Sequence, residues 1–463
     1  MTRPDKLGGL ERLTLAAYGV LMRSLQPLLR RKLQRRGLQE PGYLQHVPQR
    51  FGLYDAPAPD AGRVWVHAVS LGETRAAALL IDALRQRLPG MRLLLTHSTA
   101  TGWAQGQSLL QPGDVQAWLP WDTPEATRRF LQHHRPRCGI LMETEVWPSL
   151  VQACREQAVP LVLVNARLND KSLRSAKRWA WLSGPAYRGL TGVLAQSEVD
   201  AERLRILGAR VDAVLGNLKF DVQPQPQALA RAQQWRAQWT QGGQSRPVLM
   251  LASTREGEEA LWLDALASNS ARGQAFADAG VLWLLVPRHP QRFDEVHQLV
   301  QAKAWSVFRR SALPVDGAWP AAACDAQVWL GDSLGEMPQY FHAADMALLG
   351  GSFMPLGGQN LIEAAAFGCP IIMGPHTFNF AEASAQAEEA GAAQRVADMD
   401  AALDQALAWL NDRAALARAQ QAGLAMVAQG RGAADRYAQE IVMALAPKTV
   451  QPCPPQRMDR AEG

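Results

Sequence analysis

Two α/β domains in succession, each organised around a parallel sheet, are what this sequence predicts. Three observations carry that reading. From about residue 63, short apolar runs alternate with amphipathic stretches of helical length. Around residues 222–247 the composition turns to glutamine, proline and glycine about one short helix. At residue 248 the alternation starts again. Strands that alternate with helices pair in parallel, because each helix carries the chain back across the sheet. A chain of 463 residues is long enough to bury two such cores.

The chain divides into a basic amphipathic segment 1–50, a first α/β domain 51–222, a linker 223–247, a second α/β domain 248–446 and a tail 447–463 read as disordered. Segment 1–50 holds ten Lys or Arg against Asp5, Glu11 and Glu40, a local charge of +7. The whole chain carries +5, so the remainder is slightly acidic. A basic end on a nearly neutral body points to an anionic surface near the N-terminus and not to nucleic acid. Residues 13–29 are too short and too interrupted, by Arg23, for a comfortable membrane span. They lack the small-residue site of a cleaved signal peptide. On a helical wheel Arg12 and Arg23 fall within about 20° of each other, with Leu10, Leu21 and Leu25 opposite. Pro27 is expected to kink or end this helix. Arg30, Arg31, Lys32, Arg35 and Arg36 follow it. An apolar stripe plus a polybasic cluster supplies two signals for attachment to an anionic leaflet. The competing reading is a helix packed on the body with a solvated basic face.

Strands of the first domain are expected at 64–69, 92–97, 115–119, 139–142, 161–165, 193–196 and 211–215. Asp122-Thr123-Pro124-Glu125 marks a helix start, with a capping side chain and a proline in the first turn. In the second domain strands are expected at 248–252, 281–286, 327–330, 346–350 and 370–373. Two such units joined by a linker imply a cleft between them. The five cysteines are scattered without metal-ligand spacing, which argues against a disulfide framework or a structural zinc.

Ligands of parallel sheets collect at the carboxyl ends of the strands, so the chemistry is sought there. The first strand runs into Ser70-Leu71-Gly72-Glu73, where Glu73 is either a helix-dipole partner or a catalytic carboxylate. The fourth ends in Glu143-Thr144-Glu145, a costly pair after an apolar strand unless it is solvated or paired. Either these residues cap the next helix or one faces the cleft. Asn165-Ala166-Arg167 follows the fifth strand, with Lys171 and Arg174 close behind. That run is a solvated helix face or a loop that reads the phosphates of an anionic acceptor. Gly216-Asn217-Leu218-Lys219 closes the first domain and places Lys219 near the cleft.

The second domain opens with Ser253-Thr254-Arg255-Glu256-Gly257-Glu258-Glu259. Arg288 follows Pro287 at another strand end, where a planar guanidinium suits a phosphate. Later come Leu334-Gly335-Glu336, Gly350-Gly351-Ser352, and Gly357-Gly358-Gln359-Asn360-Leu361-Ile362-Glu363. Glycines in the last run let backbone approach a ligand, and a helix starting near Asn360 turns free N–H groups toward it. The alternative is a tight strand-to-helix turn with no ligand. Asp398-Met399-Asp400 is explained by N-capping and is not read as a metal site.

Taken together, the runs HAVSLGET, METEVWP, NARL, GNLKFD, STREGEE, VPRHPQRF, GDSLGEMPQYF, GGSFMPLGGQNLIEAAAFGCP and MGPHTFNF resemble the 3-deoxy-D-manno-octulosonic acid (Kdo) transferases. The resemblance extends from about residue 25 to residue 445. It implies the GT-B fold, two Rossmann-like domains with parallel sheets facing across a cleft, together with an N-terminal membrane-associated helix. It implies inverting transfer of Kdo from CMP-Kdo to a lipid A precursor (lipid IVA) on the cytoplasmic side of the inner membrane. Glu73 then matches the general base, and Glu143 and Lys219 match groups that stabilise the transition state. CMP falls to Pro287, Arg288, Leu334, Gly335, Glu336, Asn360, Leu361, Ile362 and Glu363, with Ser253, Gly351 and Ser352 on neighbouring turns. Arg167, Lys171 and Arg174 are the acceptor-side candidates. No cofactor and no metal are expected, and the partners are the two substrates and an anionic lipid surface. Two other readings stay open: a UDP-sugar transferase or sugar-nucleotide epimerase of the same fold, and a non-enzymatic scaffold that binds nucleotide sugars.

Overall fold

The computed structural model describes residues 8–55, 57–223, 226–241, 243–314 and 319–445. Expectations for the tail 447–463 lie outside them. The described chain forms two compact units. The first takes residues up to Leu218 together with the C-terminal helix Ala433–Leu445, and the second runs from Lys219 to Gly432.

The first unit is built on seven parallel strands: β1 Val64–His67, β2 Leu93–His97, β3 Val115–Trp118, β4 Cys138–Met142, β5 Leu161–Ala166, β6 Gly192–Ala195 and β7 Val211–Val214. Their spatial order is β3-β2-β1-β4-β5-β6-β7. The chain reverses its direction of winding between β1 and β4, which pair with Val64 opposite Cys138 and His67 opposite Leu141. Both faces of this sheet are covered, so the central strands are buried throughout and do not alternate between core and solvent.

In the second unit Thr240–Gln241 and Gln244–Ser245 pair antiparallel as β8 and β9. Seven parallel strands follow: β10 Val248–Thr254, β11 Leu282–Pro287, β12 Val307–Arg309, β13 Val328–Leu330, β14 Met346–Leu349, β15 Ile371–Met373 and β16 Ala393–Arg395. The order β12-β13-β11-β10-β14-β15-β16 places the reversal between β10 and β14. Every strand expected from the sequence is present; within the two parallel sheets, β12 and β16 were not expected. Both are three-residue edge strands, and β16 reads Ala-Gln-Arg, too short and polar to stand out.

Several boundaries differ from those read in the sequence. Segment 1–50 is no separate appendage among its described residues. Helix Gly9–Gln39 continues through Pro27, whose ring is exposed. It packs Gly19 against Pro124, links Arg188 to Glu11 at 2.5 Å and pairs Arg23 with Glu125. Just after it, Gln49 and Gln45 accept hydrogen bonds from both nitrogens of Trp118. The linker contains helix Pro226–Gln238, and its Ala228, Ala232 and Trp235, with Trp239 beyond, repeat at helical spacing and are buried. Trp235 and Trp239 pack on Trp329 in the core of the second unit. The last helix was read as part of the second domain, yet it returns to the first. Tyr437, Ala438 and Ile441 join Leu80 and Leu84 in that core, and Arg87 forks onto Asp435.

Candidate active site

At the reversal of the first sheet, the turn after β1 presents Glu73 and the turn after β4 presents Glu143. This is where a doubly wound sheet leaves room for a ligand. Glu73 is half-buried in the first turn of helix Leu71–Arg87. Its Oε2 accepts the N–H of Val69 at 2.8 Å, its Oε1 lies 3.4 Å from the Ser70 hydroxyl, and Ser70 Oγ accepts the Glu73 N–H at 3.5 Å. Ser70 thus caps the helix and Glu73 binds back to the residue before the cap, so a structural role at the helix start is real. The same bonds hold the carboxylate at the strand end.

Glu143 is 2% exposed and stands in a left-handed backbone conformation, φ +57°. Its Oε2 accepts Nε–H of Arg167 at 2.6 Å. Asn165, at the end of β5, is left-handed as well, φ +50°, and so is Ser253 in β10, φ +58°. Such conformations cost non-glycine residues about 1–3 kcal/mol and concentrate where function over-determines the backbone. Behind Glu73, burial holds the imidazoles of His67 and His97 down to about 3 and about 4. His67 Nδ1 meets Thr96 Oγ1 at 2.9 Å, and both rings are neutral at physiological pH.

The three acceptor-side candidates do not share one setting. Lys171 and Arg174 lie exposed on helix Asp170–Arg178, which buries none of its residues. Arg167 is engaged with Glu143 and does not belong to that exposed face. Lys219, placed by the sequence in the first domain, opens the second unit, where its Nζ lies 5.6 Å from the centroid of the Phe380 ring.

At the reversal of the second sheet the chemistry is of another kind. The turns after β10 and β14 touch: a Cβ on Gly350 would stand 2.2 Å from the Ser253 carbonyl oxygen, so only glycine fits. Glu258, 1% exposed, ties them together by accepting the N–H groups of Arg255 at 2.8 Å, Gly351 at 2.7 Å and Phe353 at 3.1 Å. Burial raises its carboxyl pKa against those three donors. Arg288 is exposed at the end of β11, its N–H bonded to Thr254. Burial and the guanidiniums of Arg255 and Arg288 hold His289 below the usual imidazole range, the mark of a positive turn.

Several donor candidates have side chains spent on the fold. Ser352 is fully buried, donates to the Leu349 carbonyl and accepts from Gly374. Leu361 and Ile362 lie in the core, which leaves them only backbone to offer. Glu336 pairs with Arg310 at 2.8 Å and Arg231 at 3.1 Å, so its carboxylate braces the loop on which Leu334 and Gly335 are carried. Leu334 is 75% exposed and Gly335 is left-handed, φ +83°. The helix expected near Asn360 starts at Ile362 and ends at Ala366, with Asn360 Oδ1 capping the N–H of Ile362. Five residues make a weak dipole, so local N–H groups replace the helix end as the feature available to an anion.

Residues 45–222 match the family 3-Deoxy-D-manno-octulosonic-acid transferase (kdotransferase). The 3-deoxy-D-manno-octulosonic acid transferase of Bordetella pertussis is 48% identical over 431 residues, covering 90% of this chain and 96% of that protein. The chain belongs to the Kdo transferase family. The Haemophilus influenzae transferase is 32% identical over 426 residues, again 90% of this chain and 96% of the relative. Anabaena HepE, solved with UDP-glucose, aligns with 82% of this chain and 99% of its own at a TM-score of 0.54 and 15% identity, and so shares the fold. As a Kdo transferase the chain is a glycosyltransferase of lipopolysaccharide biosynthesis.

The sequence missed two buried residues that brace the candidate turns, one in each unit. Asn165 Oδ1 accepts the N–H of Leu218 at 3.1 Å, fixing the residue before Lys219. Glu258 fixes the glycine turns. Their signal was faint: polar residues directly after apolar strands, which only their partners explain.

Proposed function

We propose that this transferase moves Kdo from CMP-Kdo to a lipid A precursor with inversion, on the cytoplasmic side of the inner membrane. The observation that carries the reading is the pair of carboxylates, Glu73 and Glu143, on adjoining strands where the first sheet reverses. Glu73 takes the proton of the acceptor sugar hydroxyl, which attacks the anomeric carbon of Kdo as CMP leaves. Glu143 and Lys219 stabilise charge at the transition state. The departing cytidylate is an anion, suited to Arg288 and to the N–H groups of the turns that carry Ser253, Gly335, Gly351, Asn360 and Glu363. The exposed Lys171 and Arg174 suit the phosphates of the acceptor.

No metal takes part in this scheme. Supporting that, Asp398 caps helix Met399–Asn411 and Asp400 pairs with Arg272, so the one D-x-D run is occupied structurally. Attachment to an anionic leaflet rests on helix Gly9–Gln39, where Leu10, Leu13 and Leu21 are 74%, 68% and 55% exposed beside the exposed basic run. No helix among the described residues is long and apolar enough to cross a membrane.

The test is incubation with CMP-Kdo and lipid IVA, with the product weighed by mass spectrometry and EDTA in a parallel sample. One Kdo mass or more added, with or without EDTA, supports the proposal. A thermal shift with UDP and none with CMP would overturn the donor assignment.

A further inference from the structure

Glu143 sits under three constraints: a left-handed backbone, near-complete burial, and an ionic partner at hydrogen-bond distance. Arg167 supplies two bonds to it, Nε–H to Oε2 at 2.6 Å and backbone N–H to the Glu143 carbonyl at 3.3 Å. The arginine is itself held from both sides. Before it, Asn165 is anchored on the Leu218 N–H. After it, the Leu168 N–H donates to Asp200 at 2.7 Å, and the Leu168 carbonyl accepts from Arg203 at 3.1 Å. A side chain on a backbone pinned this way is pre-organised, so little freedom remains to be lost when it orients its partner.

We propose that Arg167 is a positioning residue, holding the Glu143 carboxylate aimed, and not a ligand of the acceptor. The inference deepens the function proposed above and rests on the assignment of Glu143. An arginine that turned its guanidinium to an acceptor phosphate would give up a 2.6 Å charged bond to a carboxylate that is 2% exposed, and breaking a buried ion pair is costly. The exposed Lys171 and Arg174 carry no such obligation to Glu143.

The experiment measures kcat and acceptor KM for Arg167→Ala, Arg167→Lys, Glu143→Gln and the double variant Glu143→Gln/Arg167→Ala. A carboxylate displaced by about 1 Å costs on the order of 100-fold in rate. Arg167→Ala should therefore lower kcat by about that factor with acceptor KM within about twofold of the parent. Arg167→Lys, which keeps the charge without the planar fork, should recover part of the loss. The double variant should be no slower than Glu143→Gln alone. If Arg167→Ala raises acceptor KM and leaves kcat intact, Arg167 is an acceptor contact and the inference is overturned. Should Arg167→Ala fail to fold, Arg167→Lys decides in its place, with a lowered kcat in support and an unchanged one against. If Glu143→Gln itself retains full kcat, the role of Glu143 falls first, and that outcome is distinct from the failure of Arg167 alone.

Discussion

The two units share one topology and finish its turns differently. Each has seven parallel strands and one reversal of winding, between β1 and β4 in the first and between β10 and β14 in the second. At the first reversal the turns carry carboxylates, Glu73 held at the strand end by the Val69 N–H and Glu143 by Arg167. At the second the carboxylate is turned inward, where Glu258 gathers three backbone N–H groups, and what remains outside is glycine backbone and arginine. The two buried carboxylates differ in what they meet: Glu143, 2% exposed, meets a guanidinium, and Glu258, 1% exposed, meets backbone N–H groups. The lesson is that the sheet supplies the place and the turn residues supply the partner.

The comparison is most exposed to substitution at Glu73. Glu73→Ala should reduce turnover by at least about 100-fold, the usual worth of a general base, while CMP still shifts the melting temperature. Loss of CMP binding in this variant would mean the two reversals are not separate in function. The mirror-image change is Glu258→Ala, which leaves three buried N–H groups without an acceptor. It should destabilise the second unit by about 3 kcal/mol or more and abolish the CMP-induced thermal shift. A normal shift would show that the glycine turns need no internal brace.

Acid separates the units more gently. In the first unit, burial holds His67 and His134 down to about 3 and His97 to about 4. An unfolded histidine takes up its proton near pH 6.5, so the stability these rings contribute is complete above that value and is lost as pH falls toward 4. Each removes about 1.4 kcal/mol per pH unit. Asp122, also in the first unit, is raised by burial to about 6 and works the other way, its contribution being present at low pH and lost as pH rises through 6. Four lowered histidines, His133 included, against Asp122 and Glu145, both raised by burial, leave a net loss on acidification. His134 is packed among Phe130, Tyr54 and His133, so His134→Phe should flatten the decline between pH 6.5 and 4 by one proton's slope in denaturation at stepped pH. An unchanged slope would mean His134 titrates normally in the fold.

The smallest effect belongs to the helix that crosses back. Arg87→Ala removes the fork onto Asp435, a pair 34% and 63% exposed, and should cost the first unit at most about 1 kcal/mol. Measured by denaturation, a larger loss would give this contact a greater share in joining Ala433–Leu445 to the first core.

Much of this was legible in the chain because it is local. Apolar runs such as Leu161–Ala166 and Leu282–Pro287 are strands whatever surrounds them, and the candidate residues stand one turn beyond such runs. The glycine at position 350 is dictated by a carbonyl 2.2 Å from its missing Cβ, a constraint that shows in sequence only as a paired glycine. The short helix expected in the linker is present as Pro226–Gln238, but glutamine and proline masked the regular apolar spacing, completed by its tryptophans, that packs it into the second core.

Strand positions, the two-sheet plan and the identity of the turns thus follow from pattern along the chain, since burial on both faces of a parallel sheet imposes a continuous apolar run. Which turn carboxylate is paired with Arg167, which is swallowed by backbone N–H groups, and which core receives the final helix depend on partners dozens to hundreds of residues away. Those choices are made by packing, where a charge must find its counterpart and an apolar face its cover before either can be buried.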